Sequence, residues 1–367
     1  MTGVRNGLYI GSISPEAATT PRTALDIFMN SCGMRDGRPT QFNVPAMPLG
    51  ETDSTAWVDA QLDSIGKVGA IRRLKKSTFG VSGNYSGIPV DIVRRGHTID
   101  PDELNLRFAE RAAVGYPILE QASNDRGVTT PPLQIGINTL DLALFSLRFG
   151  AKKHLDAFIE ATRRETHEAW EVTQGNVFFL IETPCATILA NLFRGYQPLI
   201  DWFTDALVKI IKALPKGAEW GFHFCYGDLG NSSIGDHGRL AETLQLYRLI
   251  YRPEQSVRMI NHVLYCLEDD GLRPSLIQYP LAYGKRPPSL NPQDYRAYRA
   301  TYIPEGTDVY AGAIHHARSA DVLIPLYTIL DEVFGQRVGV SSSCGYGRHT
   351  AVQMYDCLKR MQQVAAV

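Results

Sequence analysis

His223 and Cys225 lie two residues apart in the apolar run EWGFHFCY (219–226), and Cys344 ends a second such run, RVGVSSSC (337–344). Side chains at i and i+2 of a strand leave the same face. An imidazole and a thiol therefore project together from the end of one strand, and a second thiol from the end of another. Zinc takes this donor set in tetrahedral geometry, and three protein ligands leave the open position that marks a catalytic site. A thiol entering that position would be deprotonated by the metal and become a nucleophile at neutral pH. The competing reading makes each cysteine a small buried hydrophobe and the histidine a hydrogen-bonded core residue. His-x-Cys alone does not separate the two.

The metal reading needs a fold that brings the ends of distant strands together. Eight strand-like runs follow one another at 7–14, 40–47, 132–138, 177–183, 219–226, 275–281, 308–315 and 337–344. Segments with apolar residues at helical spacing lie between and after them, at 155–173, 198–214, 254–271, 320–335 and 349–365, with Gly271 and Gly335 as stops. Alternating strand and helix implies βαβ units and a parallel sheet. Eight strands with a helix after the last predict a single α/β domain over residues 1–367, a (β/α)8 TIM barrel. An open doubly wound sheet is the runner-up, weakened because no GxGxxG follows the first strand. KKSTFGVSGNYSGIPVDIVRRG (75–96) reads as a β-hairpin inserted after the second strand, turning at Tyr85-Ser86-Gly87. The proline-rich KRPPSLNPQD (285–294) is expected to be a long ordered loop on the active face.

Composition narrows the partners. The formal net charge of -1 over 367 residues gives no basic excess for nucleic acid or a membrane surface. No apolar run approaches the ~18 residues that span a bilayer, and the N-terminus lacks a signal-peptide pattern. A cytoplasmic protein is expected. Its six scattered cysteines are then buried thiols, ligands or nucleophiles rather than disulfides. Homodimers are common among barrel enzymes, and no residue decides the point.

In a barrel, residues ending the strands converge on one mouth. Asp228, after the fifth strand, would orient a ligand imidazole or bind a substrate amine, unless it only caps a loop. Glu51 and Glu182, ending the second and fourth strands, could hold a substrate ammonium or act as general acid or base; a rim ion pair is the alternative. His315 and His316 end the seventh strand, and the inward one, taken as His315, would deliver a proton to a leaving oxygen, unless it is a solvated loop histidine. Arg348 could bind a carboxylate, sulfonate or phosphate, or equally cap the rim. Ser12 and the serines at 341–343 are candidate donors. Cys185 reads as a spare thiol, and Cys266 and Cys357 as core.

GFHFCYGDLG, followed much later by GVSSSCGYGRH, resembles the catalytic domain of cobalamin-independent methionine synthase. More closely, it is similar to the smaller proteins of the uroporphyrinogen decarboxylase/methionine synthase-like superfamily. SLIQYPLAYGKR, DVYAGAIHHA and MPLGETDSTAW (47–57) fall at the expected places, so the likeness spans nearly the whole chain. Epoxyalkane–coenzyme M transferase, of the same superfamily, has a similar length and ligand pattern. The resemblance implies His223, Cys225 and Cys344 as zinc ligands and a zinc thiolate that attacks an electrophilic carbon, in a methyl donor or an epoxide. The partners would be a small thiol and an electrophilic co-substrate.

This chain departs from the family in two places. The sixth strand, SLIQYP, carries Gln278 and Tyr279 where methionine synthase adds a Glu ligand, which leaves room for water or another thiol and makes both residues candidate substrate contacts. Leu49 stands where the smaller proteins have Asp. The chain also lacks the synthase's long N-terminal half, so methylfolate is not the expected donor. The expected function is a zinc-dependent thiol alkyltransferase. Zinc-assisted carbon–sulfur cleavage and a zinc-free small-molecule-binding barrel are the alternatives.

Overall fold

A computed structural model describes residues 4–35, 38–39, 42–49, 56–78, 87–227 and 253–367. Eight strands form one sheet: β1 (Gly7–Leu8), β2 (Met47–Pro48), β3 (Leu133–Ile137), β4 (Val177–Glu182), β5 (Glu219–His223), β6 (Leu276–Pro280), β7 (Asp308–Ile314) and β8 (Gly339–Ser342). All neighbours are parallel, and the order across the sheet is β1-β8-β7-β6-β5-β4-β3-β2. Each strand thus lies beside its chain neighbours, as βαβ crossovers produce. The sheet curls, and the Gly7 N–H donates to the Asn43 carbonyl just before β2 at 2.8 Å, so its two edges approach one another. This is an α/β fold consistent with a TIM-like barrel.

Each expected strand is present in the expected order. β1 and β2 are two residues each, shorter than the runs at 7–14 and 40–47. Pro45 and Pro48 remove ladder donors around β2.

Alternation sorts side chains between two apolar layers. Leu8, Ala46, Phe178, Leu180, Leu276 and Tyr310 pack together inside the curl. Phe179, Ile181, Phe222, Ile277, Tyr279, Val309 and Val340 join the larger layer under the helices. Gly221 admits the Leu276 side chain, because a Cβ there would stand 2.7 Å from it.

Ten helices cover the sheet among the described residues: α1 (Pro21–Ser31), α2 (Ala56–Ile65), α3 (Phe108–Asn124), α4 (Thr139–Leu147), α5 (Ala151–Val172), α6 (Pro184–Leu192), α7 (Gln197–Lys212), α8 (Pro253–Asp269), α9 (Ala320–Phe334) and α10 (Ala351–Ala365). None of them is long and apolar enough to cross a membrane. α7 buries Ile200, Phe203, Leu207, Ile210 and Ile211, one stripe at helical spacing. Each such side chain contributes roughly 1.5–3 kcal/mol by leaving water. α9 stops at Gly335, whose φ of 69° suits glycine. α10 starts in a capping box: Thr350 Oγ1 accepts from Gln353 N–H, and Gln353 Oε1 from Thr350 N–H.

The five amphipathic segments expected from spacing match α5, α7, α8, α9 and α10. Two of the helices that spacing did not find lack a polar face or carry breakers. α4 is buried on nearly every side, and α3 contains Gly115 and Pro117. An antiparallel ribbon that pairs Ile71–Lys75 with Val90–Val93 overlaps the hairpin expected at 75–96 and loosely matches it. Its first arm begins earlier than expected, and the turn at Tyr85-Ser86 lies outside the described residues. The 285–294 loop is ordered and runs into a 3-10 helix, Pro292–Ala300.

Arg5 fastens the chain before β1 to the end of the fold. Its guanidinium donates to both carboxylate oxygens of Asp331 on α9 at 2.7 Å and to the Val338 carbonyl at 3.0 Å. Asp331 also accepts from Val338 N–H at 2.8 Å. Arg5→Ala strands a partly buried carboxylate and is expected to lower the unfolding free energy by about 2 kcal/mol in urea denaturation. A loss under about 0.5 kcal/mol would show that the clasp is dispensable.

Candidate metal centre

β5 sends Phe222 and Phe224 outward, their rings stacked 4.9 Å apart. His223, within the strand, and Cys225, just past it, therefore take the inner face, as the i, i+2 spacing requires. Both are buried. Cys344 sits in the turn after β8, shaped by the chain after β1. Tyr346 N–H donates to the Ser12 carbonyl at 2.8 Å and Gly347 N–H to Ser12 Oγ at 3.1 Å. Ser342 Oγ donates to the Cys344 carbonyl at 2.6 Å. A Cβ at residue 345 would stand 2.3 Å from Ser12 Oγ and 2.8 Å from the Ile10 carbonyl, so only glycine lets this turn close. The ligand atoms of His223, Cys225 and Cys344 then lie within 4.8 Å of one another. A tetrahedral zinc with bonds of ~2.0–2.3 Å would hold such atoms about 3.3–3.8 Å apart, a small contraction from this arrangement.

Gln278 on β6 sets the imidazole. Its Nε2 donates to the Ser342 carbonyl at 3.0 Å, which fixes the amide orientation, because only the NH2 can donate to a carbonyl. Its Oε1 must then accept from His223 Nδ1–H at 2.7 Å. In the neutral ring this leaves the lone pair on Nε2. That atom is buried without a regular hydrogen-bond partner among the described residues, and its neighbour is the Cys225 sulfur. Gly312 makes room for the amide, since a Cβ there would meet Gln278 Nε2 at 2.3 Å.

The two thiols differ. Cys225 is held well below the usual thiol range, first by the hydrogen bond from the Cys344 thiol and then by His223 and the Gly227 N–H, 3.4 Å from its sulfur. Cys344 is pushed up by that same bond to Cys225, by burial, and by the negative charge of Cys225 and Glu182. Burial disfavours the charged form of His223, but Cys225, Glu182 and Gln278 outweigh it and raise its pKa. The opposite shifts of His223 and Cys225 are those of one proton shared between imidazole and thiol, while Cys344 keeps its own. A cation entering the site would displace those protons, as ligand sites require. The donors, their spacing and the lone pair on Nε2 fit a thiophilic metal ion.

Glu182 ends β4 and is paired in register with His223 on β5. Gly136 gives it space, because a Cβ there would stand 2.5 Å from Glu182 Oε1. Burial raises its carboxyl and Cys225 adds to the shift, while His223, Arg111 and Arg348 oppose it. Arg348 is thus within electrostatic reach of Glu182. Ser12 acts through the Cys344 turn.

Sequence reading missed Arg111 and Asp141. Arg111, in α3, is pushed down to about 10 by burial, with Glu182 opposing, and its Nη1 lies 3.5 Å from the Gly136 carbonyl. Asp141, in the first turn of α4, is raised to about 8 by burial and accepts from the Cys185 N–H at 2.8 Å. Cys185 is itself pushed far up, first by burial and then by Asp141. Asp141 falls three residues past the expected third strand, a signal that reading loops beyond strand ends would have caught. Arg111 had none, because its helix was not recognised.

Other candidates stand apart. Tyr279 points to the helix layer against Phe224 and Phe334, with ring centroids at 6.1 and 5.1 Å. His315 is engaged at both nitrogens: Nε2–H donates to the Gly284 carbonyl and Nδ1 accepts from Ala317 N–H, each at 3.1 Å. Burial pushes its pKa down to about 4. Glu51 and Asp228 lie outside the described residues. Beyond the end of β6, a cavity of ≈ 920 Å³ is lined by Leu281, Tyr283, Arg286 and residues of the 285–294 loop.

No protein-family model matches the chain, and no curated protein sequence does. Solved structures with the same fold include a B12-independent methionine synthase from Shewanella sp. W3-18-1 in complex with selenomethionine, at 13% identity and TM-score 0.59, covering 99% of this chain and 97% of that one. A putative vitamin-B12 independent methionine synthase from Listeria monocytogenes matches at 13% identity and TM-score 0.53, covering 97% and 95%. A methyltransferase from Methanosarcina mazei matches at 11% identity and TM-score 0.50, covering 99% and 94%.

Gln278→Ala removes the acceptor that fixes the His223 tautomer. It is expected to weaken zinc binding at this centre about 10–100-fold in competition with a chromophoric chelator. Unchanged affinity would mean that the amide does not orient the ring.

Proposed function

We propose that the chain is a zinc-dependent transferase that moves a methyl or other small alkyl group to the sulfur of a small thiol. The observation that carries this reading is the buried Nε2 lone pair of His223 set against two thiols on the inner face of the sheet. The likeness to proteins described as methionine synthases and a methyltransferase supports transfer of a methyl group over other chemistries. In this reading the curled sheet is a full (β/α)8 barrel, and His223, Cys225 and Cys344 hold the ion.

A bound zinc ion would supply the Lewis acidity that makes a thiol ionise near neutral pH. The chain's residues do the rest. Glu182, with its carboxyl raised by burial, would take the proton the thiol loses. That proton can then return to the leaving group once the new carbon–sulfur bond has formed and the old bond to carbon has broken. Arg348 and Arg111 balance the Glu182 charge and offer cationic contacts for an anionic substrate group. Gln278 and Ser12 position His223 and Cys344, while Glu51 and Asp228 remain candidates for a substrate ammonium. His315, fixed at both nitrogens, serves the Gly284 turn, so the proton role passes to Glu182.

The test compares wild type with His223→Ala and Cys344→Ser by elemental analysis of protein purified without an affinity metal. Each variant is expected to carry one zinc equivalent less than wild type, and wild type to alkylate small thiols when screened against methyl donors and epoxides. Zinc retained in full by Cys344→Ser would sink the ligand assignment. Glu182→Gln is expected to keep its zinc and lose about 10²–10⁴-fold in kcat. An unchanged kcat would remove Glu182 from proton transfer.

A further inference from the structure

We propose that His316, His349 and Cys357 form a second site for a zinc-class ion, which ties the turn bearing Cys344 to the last helix. The three residues come from different segments. His316 lies in the turn after β7, His349 five residues beyond Cys344, and Cys357 on the inner face of α10. Their ligand atoms lie within 4.8 Å of one another. Cys357 is 1% exposed, while both imidazoles are half-buried and leave a path from solvent.

Two observations favour a ligand over simple packing. First, Nδ1 of His316 and Nδ1 of His349 are both buried without a hydrogen-bond partner among the described residues. Two orphaned ring nitrogens in a cluster with one thiol are costly unless something satisfies them. Second, the rings are held in place by neighbours that leave those atoms free. His316 stacks on His315 at 4.3 Å, and His349 meets His316 and Tyr346 edge-on at 5.5 and 5.8 Å. Burial lowers the pKa of both imidazoles, and a metal ion takes the neutral ring. One contact opposes the assignment. Gln353 Nε2 lies 3.4 Å from His316 Nε2, and ligation through Nδ1 puts the ring proton on Nε2, so the amide must turn aside. That bond is long and weak, and the amide is on the half-buried side of α10.

Two imidazoles and a thiolate select zinc or similar soft ions over magnesium and calcium. Arg360, the nearest cation on α10, is paired with Asp356 at 3.1 Å, which tempers its repulsion of an ion. The site is separate from the first. Its role would be mechanical: Ser12 holds the Cys344 turn at Gly347, and the ion would hold it two residues later, at His349.

The test uses the Cys225→Ala/Cys344→Ala protein, in which the first site is removed, so its outcome does not depend on the proposed function. Titrated with Zn2+ against a chromophoric chelator, it is expected to bind one equivalent. Adding His316→Ala or His349→Ala should weaken that binding by more than about 100-fold, beyond the effect of losing an outer contact. With Co2+ the same protein should show thiolate-to-cobalt absorption that Cys357→Ala abolishes. Cys357 is buried and its variant is at risk of misfolding; His349→Ala in the otherwise wild-type chain, expected to lose one zinc equivalent, provides the second reading. Zinc binding unaffected by either histidine substitution, or bound cobalt without sulfur ligation, would overturn the proposal.

Discussion

The site depends on the direction of one amide. Gln278 can donate only its NH2 to the Ser342 carbonyl, so its oxygen must face His223, and the imidazole lone pair must point the other way, toward Cys225 and Cys344. Each partner lies on a different strand, β8, β6 and β5, and the parallel register places them together. A slip by one residue would turn His223 into the helix layer and Phe222 or Phe224 into the mouth. The apolar outer face of β5 therefore protects the chemistry of its inner face.

Small residues let this network close. Gly312 leaves space for the Gln278 amide, Gly136 for the Glu182 carboxyl, and Gly345 for the turn around Ser12. In each case the atom that would meet a Cβ is polar and belongs to the site or to the turn that shapes it. Glu182, Asp141 and Cys185 lie within electrostatic reach of Cys225, and Arg111 of Glu182; desolvation is the largest influence on the protonation of all four. Such a setting can hold a proton near neutral pH, where an exposed carboxylate would not.

Much of this was legible in the sequence. His-x-Cys alternation gave the shared face of His223 and Cys225, and eight apolar runs gave the strand order that brings Cys344 to them. Other parts could not be read from residue types. Gln278 looked like a missing carboxylate, yet it fixes a tautomer, which only its partner across the sheet reveals. Tyr279, its neighbour, turns outward by the same alternation that aims His223 inward. His315 looked like the inward member of its pair, but the Gly284 carbonyl, 31 residues away and just before the 285–294 loop, claims its ring. Cys357 read as core because its helix is amphipathic, and the two imidazoles beside it come from remote turns. α3 and α4 escaped detection because burial on several sides, or internal glycine and proline, erases helical periodicity.

The most direct test is zinc-edge X-ray absorption on His349→Ala protein, which reports the first centre alone. The account predicts a first shell with two sulfurs, one imidazole nitrogen and one exchangeable light atom, with a third sulfur appearing when a small thiol is added. A shell without sulfur, or one unchanged by thiol, would contradict it.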